Sequence, residues 1–250
     1  RIIAFLTSIF IGFIPVVIFL RKKKYLTFSF DRTHINHILR YGVPLIPHAV
    51  AGTLLVYSDK MIITNEIGLD ANGVYSVAFQ VALIIGLFQN SFNQAWVPWF
   101  YKSLTNITVN LKLKIVRITY IYYLALVGIT LLLILGTPVI FMILGKEFAA
   151  GKDLVSWIAV GFMFNGMYKM KVNYLFFKEK TIDIGLITIF AAILNIILNI
   201  ILIKNYGLIG AAIATSITFL FQFIVVWVLA QKTFPMPWFN LSSFKQNDSI

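Results

Sequence analysis

The sequence predicts an all-α, polytopic transmembrane helix bundle of about seven spans, and three observations predict it. The 250 residues are 60% hydrophobic and only 12% charged, with a mean hydropathy of +0.88, too apolar for a surface that faces water. The apolar residues gather into seven stretches near the roughly 20 residues that cross roughly 30 Å of hydrocarbon at 1.5 Å per residue. Basic residues collect in the loops on one side of those stretches. The net charge of +12 therefore suits topology and anionic lipid head groups, and membrane lipids rather than nucleic acid are the expected partners. Cys is absent, which excludes a disulfide framework and Cys-based metal or redox sites. No cofactor and no metal is expected.

The first span runs from Ile2 to Leu20 and is stopped by Arg21, Lys22, Lys23 and Lys24, whose desolvation cost keeps them out of hydrocarbon. No charged n-region or cleavage site of a signal peptide is visible, and with Arg1 in place of an initiator Met the sequence reads as the later part of a longer protein. A polar, partly amphipathic connector, residues 21–41, carries Arg32, His34, His37 and Arg40. The second span, Gly42 to Thr64, has Pro44 and Pro47 near its start, where they bend or loosen a helix. The third runs from Val74 to Phe100, the fourth from Ile118 to Leu144 and the fifth from Leu154 to Phe177. The sixth, Ile182 to Ile203, and the seventh, Leu208 to Ala230, complete a six-helix bundle over residues 42–231, followed by a polar tail, 232–250.

Lys and Arg retained in cytoplasmic loops set orientation. With the first loop inside, fourteen of the twenty-one basic residues fall inside and only Arg1, Lys146, Lys152 and Lys204 outside, leaving Lys60, Lys169 and Lys171 within or near spans. The tail, with Lys232 and Lys245, is then cytoplasmic.

An ionisable group at membrane depth costs roughly 2.5 to 3.5 kcal/mol, so each needs a partner, a wet cavity or an interface. In the second span His48, Gly52 and Asp59 share a helical face, and Lys60 follows. Helix-end placement and snorkelling account for them without function; alternatively Asp59 and Lys60 line a cavity and take part in charge recognition or gating. In the fifth span Asn165, Lys169 and Asn173 recur at intervals of four, with Gly161 continuing the stripe. Lys169 either snorkels together with Lys171 or projects into a cavity as a point charge for a phosphate. The third span carries Gln80, Gln89, Asn90, Asn93 and Gln94, with Asn90 and Asn93 on one face. Amides glue helices together, but five in one span exceed that need and point to water or a polar substrate. Asn195, Asn199 and the small residues from Gly207 to Ala214 read as packing, and Trp96, Trp99, Trp227 and Trp238 as interfacial aromatic belts. No Gly-rich phosphate loop, HExxH or nucleophilic Cys is present, so no residue pattern supports an enzyme.

Two stretches go beyond generic membrane character. Tyr57 to Ala78 reads YSDKMIITNEIGLDANGVYSVA, an Asp and a basic residue closing one span before a short Gly-containing turn opens the next. Asn195 to Ala230 reads NIILNIILIKNYGLIGAAIATSITFLFQFIVVWVLA, an Asn-punctuated span, a tight turn and a GLIGAAIAT start. Both resemble the polysaccharide flippases of the multidrug/oligosaccharidyl-lipid/polysaccharide exporter superfamily. The resemblance implies a transporter of twelve to fourteen helices in two bundles, working by alternating access and moving undecaprenyl-diphosphate-linked sugar units across the plasma (inner) membrane. Residues 1–20 would then be the last helix of a preceding bundle and 21–41 the cytoplasmic connection. It implies a lipid-linked oligosaccharide as substrate and other polysaccharide-assembly proteins as partners. Candidate substrate-binding residues are Lys60, Asp59, Asn90, Asn93, Asn165, Lys169 and Asn173, by chemistry rather than by motif. A cation-coupled multidrug exporter of the same superfamily is the runner-up, and a non-transporting membrane scaffold the alternative from another class.

Overall fold

Residues 2–25 and 31–239 are described by a computed structural model of the chain. Arg1, Lys245, the 26–30 part of the connector and the tail from residue 240 lie outside the described residues. The chain divides into two units, Arg1–Arg40 and Tyr41–Ile250. In the first, α1 (Ile2–Lys22) exposes Phe10, Phe13, Ile14 and Phe19 on all sides, as a helix with hydrocarbon for solvent does. Arg21 and Lys22 close its last turn, where cations complement the helix C-terminus. A second helix, α2 (Arg32–Gly42), occupies what the sequence presents as a polar connector. Its start is capped by Asp31, which accepts the Thr33 backbone N–H and pairs with His34, each at 2.8 Å. Those contacts, the backbone one foremost, hold the Asp31 carboxyl below its usual pKa.

The second unit is the bundle. Pro44 precedes α3 (Leu45–Glu66), so the proline pair starts that helix rather than bending it, consistent with proline's fit to a first turn. Helices α4 (Leu69–Thr105) and α5 (Val109–Leu144) are 37 and 36 residues long, about 55 Å each, so both extend well beyond the hydrocarbon. Thr108 divides them, its Oγ1 accepting the Leu111 N–H as an N-cap does. After the 3₁₀ turn Lys146–Gly151, α6 (Lys152–Phe177) leads to α7 (Thr181–Thr233).

At 53 residues α7 would measure about 80 Å if straight, but Gly207 breaks it with φ 59° and ψ −138°. The arms 181–206 and 208–233 fold back on each other. Asn195 Nδ2 donates to Thr218 Oγ1 at 3.3 Å, although 23 residues of straight helix would separate them by about 35 Å. The seven expected spans thus fall on α1, α3, α4, α5, α6 and the two arms. A residue with a Cβ is strained at Gly207's positive φ, so Gly207→Ala is expected to lower stability by about 1–3 kcal/mol, read as an earlier thermal transition in detergent.

By length and composition, residues Arg32–Glu66, α4, α5 and α7 are apolar enough to cross a membrane. Helix α6 is long enough but less apolar, and packing explains the difference. It contacts α4, α5 and α7 and buries most of its length, so neighbours rather than lipid surround it. The bundle departs from a water-soluble protein in an apolar surface over a core that, though mainly apolar, holds several polar groups. Leu124, Leu131, Leu132, Leu135 and Met142 of α5 are exposed, while Asp59, Gln89, Lys171, Asn173, Asn195 and Asn199 are buried, as expected where lipid is the solvent.

Candidate functional site

Helices α4 and α6 run side by side and are joined by three polar contacts. Gln89 Nε2 donates to the Phe162 carbonyl at 2.5 Å, Lys169 Nζ to Asn90 Oδ1 at 2.6 Å, and Asn173 Nδ2 to Asn93 Oδ1 at 2.8 Å. Asn90 to Lys169 and Asn93 to Asn173 have nearly equal sequence offsets, so the helices are parallel. Gln89 and Asn173 are buried, whereas Asn90 is exposed and Lys169 and Asn165 are half-buried. The exposed face of α4 also carries Gln80, Ser91 and Gln94, a costly set to present to lipid. Lys169 lies about 12 Å from the last residue of α6. Its ammonium has three donors, one engaged by Asn90, and the others are free to meet an oxygen-rich anion.

The stripe 161, 165, 169, 173 winds around α6 rather than following one face. Steps of four residues advance about 40° each, so Gly161 and Lys169 meet different neighbours. A Cβ at Gly161 would lie 3.2 Å from the Ser216 backbone, so Gly161 marks a close approach to α7; Ser216 Oγ there donates to the Trp157 carbonyl. Lys169 and Asn173 face α4.

Asp59 and Lys60 diverge. Asp59 is fully buried, its Oδ2 accepting from Tyr75 Oη at 2.7 Å and Thr215 Oγ1 at 3.0 Å. It joins α3 to α4 and α7 and faces no open space. Lys60 is half-buried, its Nζ 4.9 Å from the Phe79 ring centre and 5.9 Å from that of Tyr57, within cation–π range. Asn195 acts as packing glue, accepting from Ser58 Oγ at 2.8 Å and from Asn199 Nδ2 at 3.1 Å.

Lys171 corrects the expectation of a snorkelling pair. It is 1% exposed, and its Nζ has no hydrogen-bond partner among the described residues. Aromatic rings surround it instead, with the Trp238, Trp227 and Tyr123 centres at 2.9, 5.1 and 5.7 Å. Trp238, expected in an interfacial belt, is likewise buried. Gln231 holds the segment after α7 in place by accepting from Trp238 Nε1 and the Met236 N–H and donating to the Met236 carbonyl. Tyr120 Oη donates to the Trp238 carbonyl at 2.7 Å. The sequence held one usable signal: residues two apart on a helix point about 200° apart, so Lys169 and Lys171 cannot share a side.

Fold and site together define a polytopic, all-α membrane protein with a polar face built on α4 and α6. Residues 2–104 match the family described as Polysaccharide biosynthesis protein, and residues 145–247 the family described as Lipid II flippase MurJ. The chain is 26% identical over 198 residues to the "Capsular polysaccharide biosynthesis protein CapF" of Staphylococcus aureus, covering 74% of the chain and 46% of that protein. It is 25% identical over 159 residues to "Lsg locus putative protein 1" of Haemophilus influenzae, covering 64% and 39%. An "Uncharacterized membrane protein" of the same organism is 26% identical over 226 residues, covering 88% and 52%. The chain thus spans about half the length, or less, of these relatives. No solved structure shows a significant match. Over both matched stretches the chain is similar to polysaccharide flippase-type membrane proteins.

Proposed function

We propose that the chain forms the C-terminal bundle of a flippase that carries lipid-linked oligosaccharide, as an undecaprenyl diphosphate, to the outer leaflet of the plasma membrane by alternating access. Lys169 carries this reading: a half-buried ammonium at membrane depth, hydrogen-bonded to Asn90 on an exposed face rich in amides. Such a face meets both needs of the substrate. The cation pairs with a phosphate, and Asn90, Ser91, Gln94 and Asn165 offer donors and acceptors to sugar hydroxyls that cannot cross hydrocarbon unaided. The bundle would rock against a partner bundle around that face, and the basic end, with the tail, would be cytoplasmic. The drug-exporter reading wants an open carboxylate, and Asp59 is enclosed by Tyr75 and Thr215.

The test is complementation in a host depleted of its own repeat-unit flippase, with the full-length parent expressed and surface polymer measured. Lys169→Ala is expected to lower export about tenfold or more, the equivalent of one charge-assisted hydrogen bond, at unchanged membrane abundance, and Lys169→Arg to restore much of it. Failure of the well-expressed parent with a matched sugar unit overturns the function. Rescue that is indifferent to Lys169 keeps the function and removes the site.

A further inference from the structure

The two arms of α7 leave between them a groove of about 450 Å³, the size of a small-molecule site. Its walls are apolar side chains open to the outside: Leu186 and Phe190 from one arm, Ile224 and Val228 from the other. Asp183, in the first turn of α7, and Lys232, in its last, also line it. Because the arms are antiparallel, both charges stand at the same end. They do not pair: the one ion pair among the described residues joins His34 to Asp31. Lys178 and Lys180, just before the helix, do not line the groove. A single slot therefore holds an exposed apolar length and, at one end, a carboxylate and an ammonium that form no ion pair.

We propose that this groove binds one phospholipid with a primary ammonium head group, of the phosphatidylethanolamine type. The acyl chain lies along Leu186, Phe190, Ile224 and Val228, the head-group ammonium donates to Asp183, and Lys232 donates to the phosphate. Both charges are needed for the choice. A choline head group has no N–H for Asp183, and the glycerol of a phosphatidylglycerol offers that carboxylate only neutral hydroxyls, a weaker partner than an ammonium. The site lies on helices other than those that carry Lys169 and does not depend on what the protein transports.

Native mass spectrometry of the purified chain, with phosphatidylethanolamine, phosphatidylcholine and phosphatidylglycerol of matched acyl chains, tests it. Phosphatidylethanolamine is expected to be retained about tenfold better than either competitor, the factor one charge-assisted hydrogen bond supplies. Asp183→Asn is expected to erase the preference over phosphatidylcholine, and Lys232→Gln to weaken both. Val228→Trp, which fills the groove from the lipid side and needs no core rearrangement, is expected to lower retention of all three lipids. Equal retention of the three, preference for phosphatidylglycerol, or selectivity unchanged by Asp183→Asn and Val228→Trp overturns the proposal.

Discussion

Trp238→Ala is expected to destabilise the chain by about 3–5 kcal/mol, the usual loss for a buried tryptophan, although Trp238 lies beyond the last helix. Three contributions add. The ring contacts Tyr120 and Tyr174, its Nε1 donates to Gln231 Oε1 at 2.7 Å, and its face covers the Lys171 ammonium. Lys171 behaves differently. A buried ammonium with no hydrogen-bond acceptor carries a desolvation penalty that cation–π attraction of about 2 kcal/mol offsets only in part. Lys171→Met, of similar length and able to contact the same rings, is therefore expected to be neutral or stabilising. The double variant should lose less than Trp238→Ala alone, because no ammonium is left uncovered. Thermal unfolding in detergent measures all three. A loss from Lys171→Met as large as that from Trp238→Ala would show that the ammonium itself holds the segment down.

The span pattern was legible because hydrocarbon imposes one rule on every crossing helix, a long apolar run, and charges interrupt it where the chain leaves the bilayer. That rule finds α1, α3, α4, α5, α6 and both arms of α7, and the small residues after Gly207 anticipate the close return of the second arm. It does not say which helices neighbours enclose in place of lipid. Helix α6 tolerates Lys169, Lys171, Asn165 and Asn173 because α4, α5 and α7 enclose it, and hydropathy cannot see that enclosure. The amide contacts between α4 and α6 were legible as residue types at helical spacing, and Asn90 and Asn93 do share a face. Which residues they meet depends on the rotation of α6, and a stripe drawn at intervals of four ignores the drift of about 40° per step. Helix α2 was missed because its residues bury nothing; its Asp31 cap is a local signal, and a polar composition masks it. The Lys171 cage required contacts between α5, α6, α7 and the segment after α7, which no spacing within one helix encodes.

Asp59 separates a carboxylate that holds helices together from one that does transport work. Asp59→Ala is expected to cost about 2–5 kcal/mol, because it removes the acceptor of the buried Tyr75 hydroxyl, leaves Thr215 only the Ala211 carbonyl, and opens a cavity where α3 meets α4 and α7. Asp59→Asn is expected to stay within about 1 kcal/mol of the parent. The amide oxygen still accepts from both hydroxyls, and the amide nitrogen replaces an Oδ1 that has no hydrogen bond among the described residues. Stability in detergent and surface polymer in the complementation strain should therefore move together across the two substitutions, both low for Asp59→Ala and both retained for Asp59→Asn. The structural role fails if Asp59→Asn keeps the thermal transition yet abolishes export. The negative charge would then be what transport uses, and a bundle that couples export to a cation would follow from a carboxylate placed between α3, α4 and the second arm of α7, where the relative movement of those helices could open it to water.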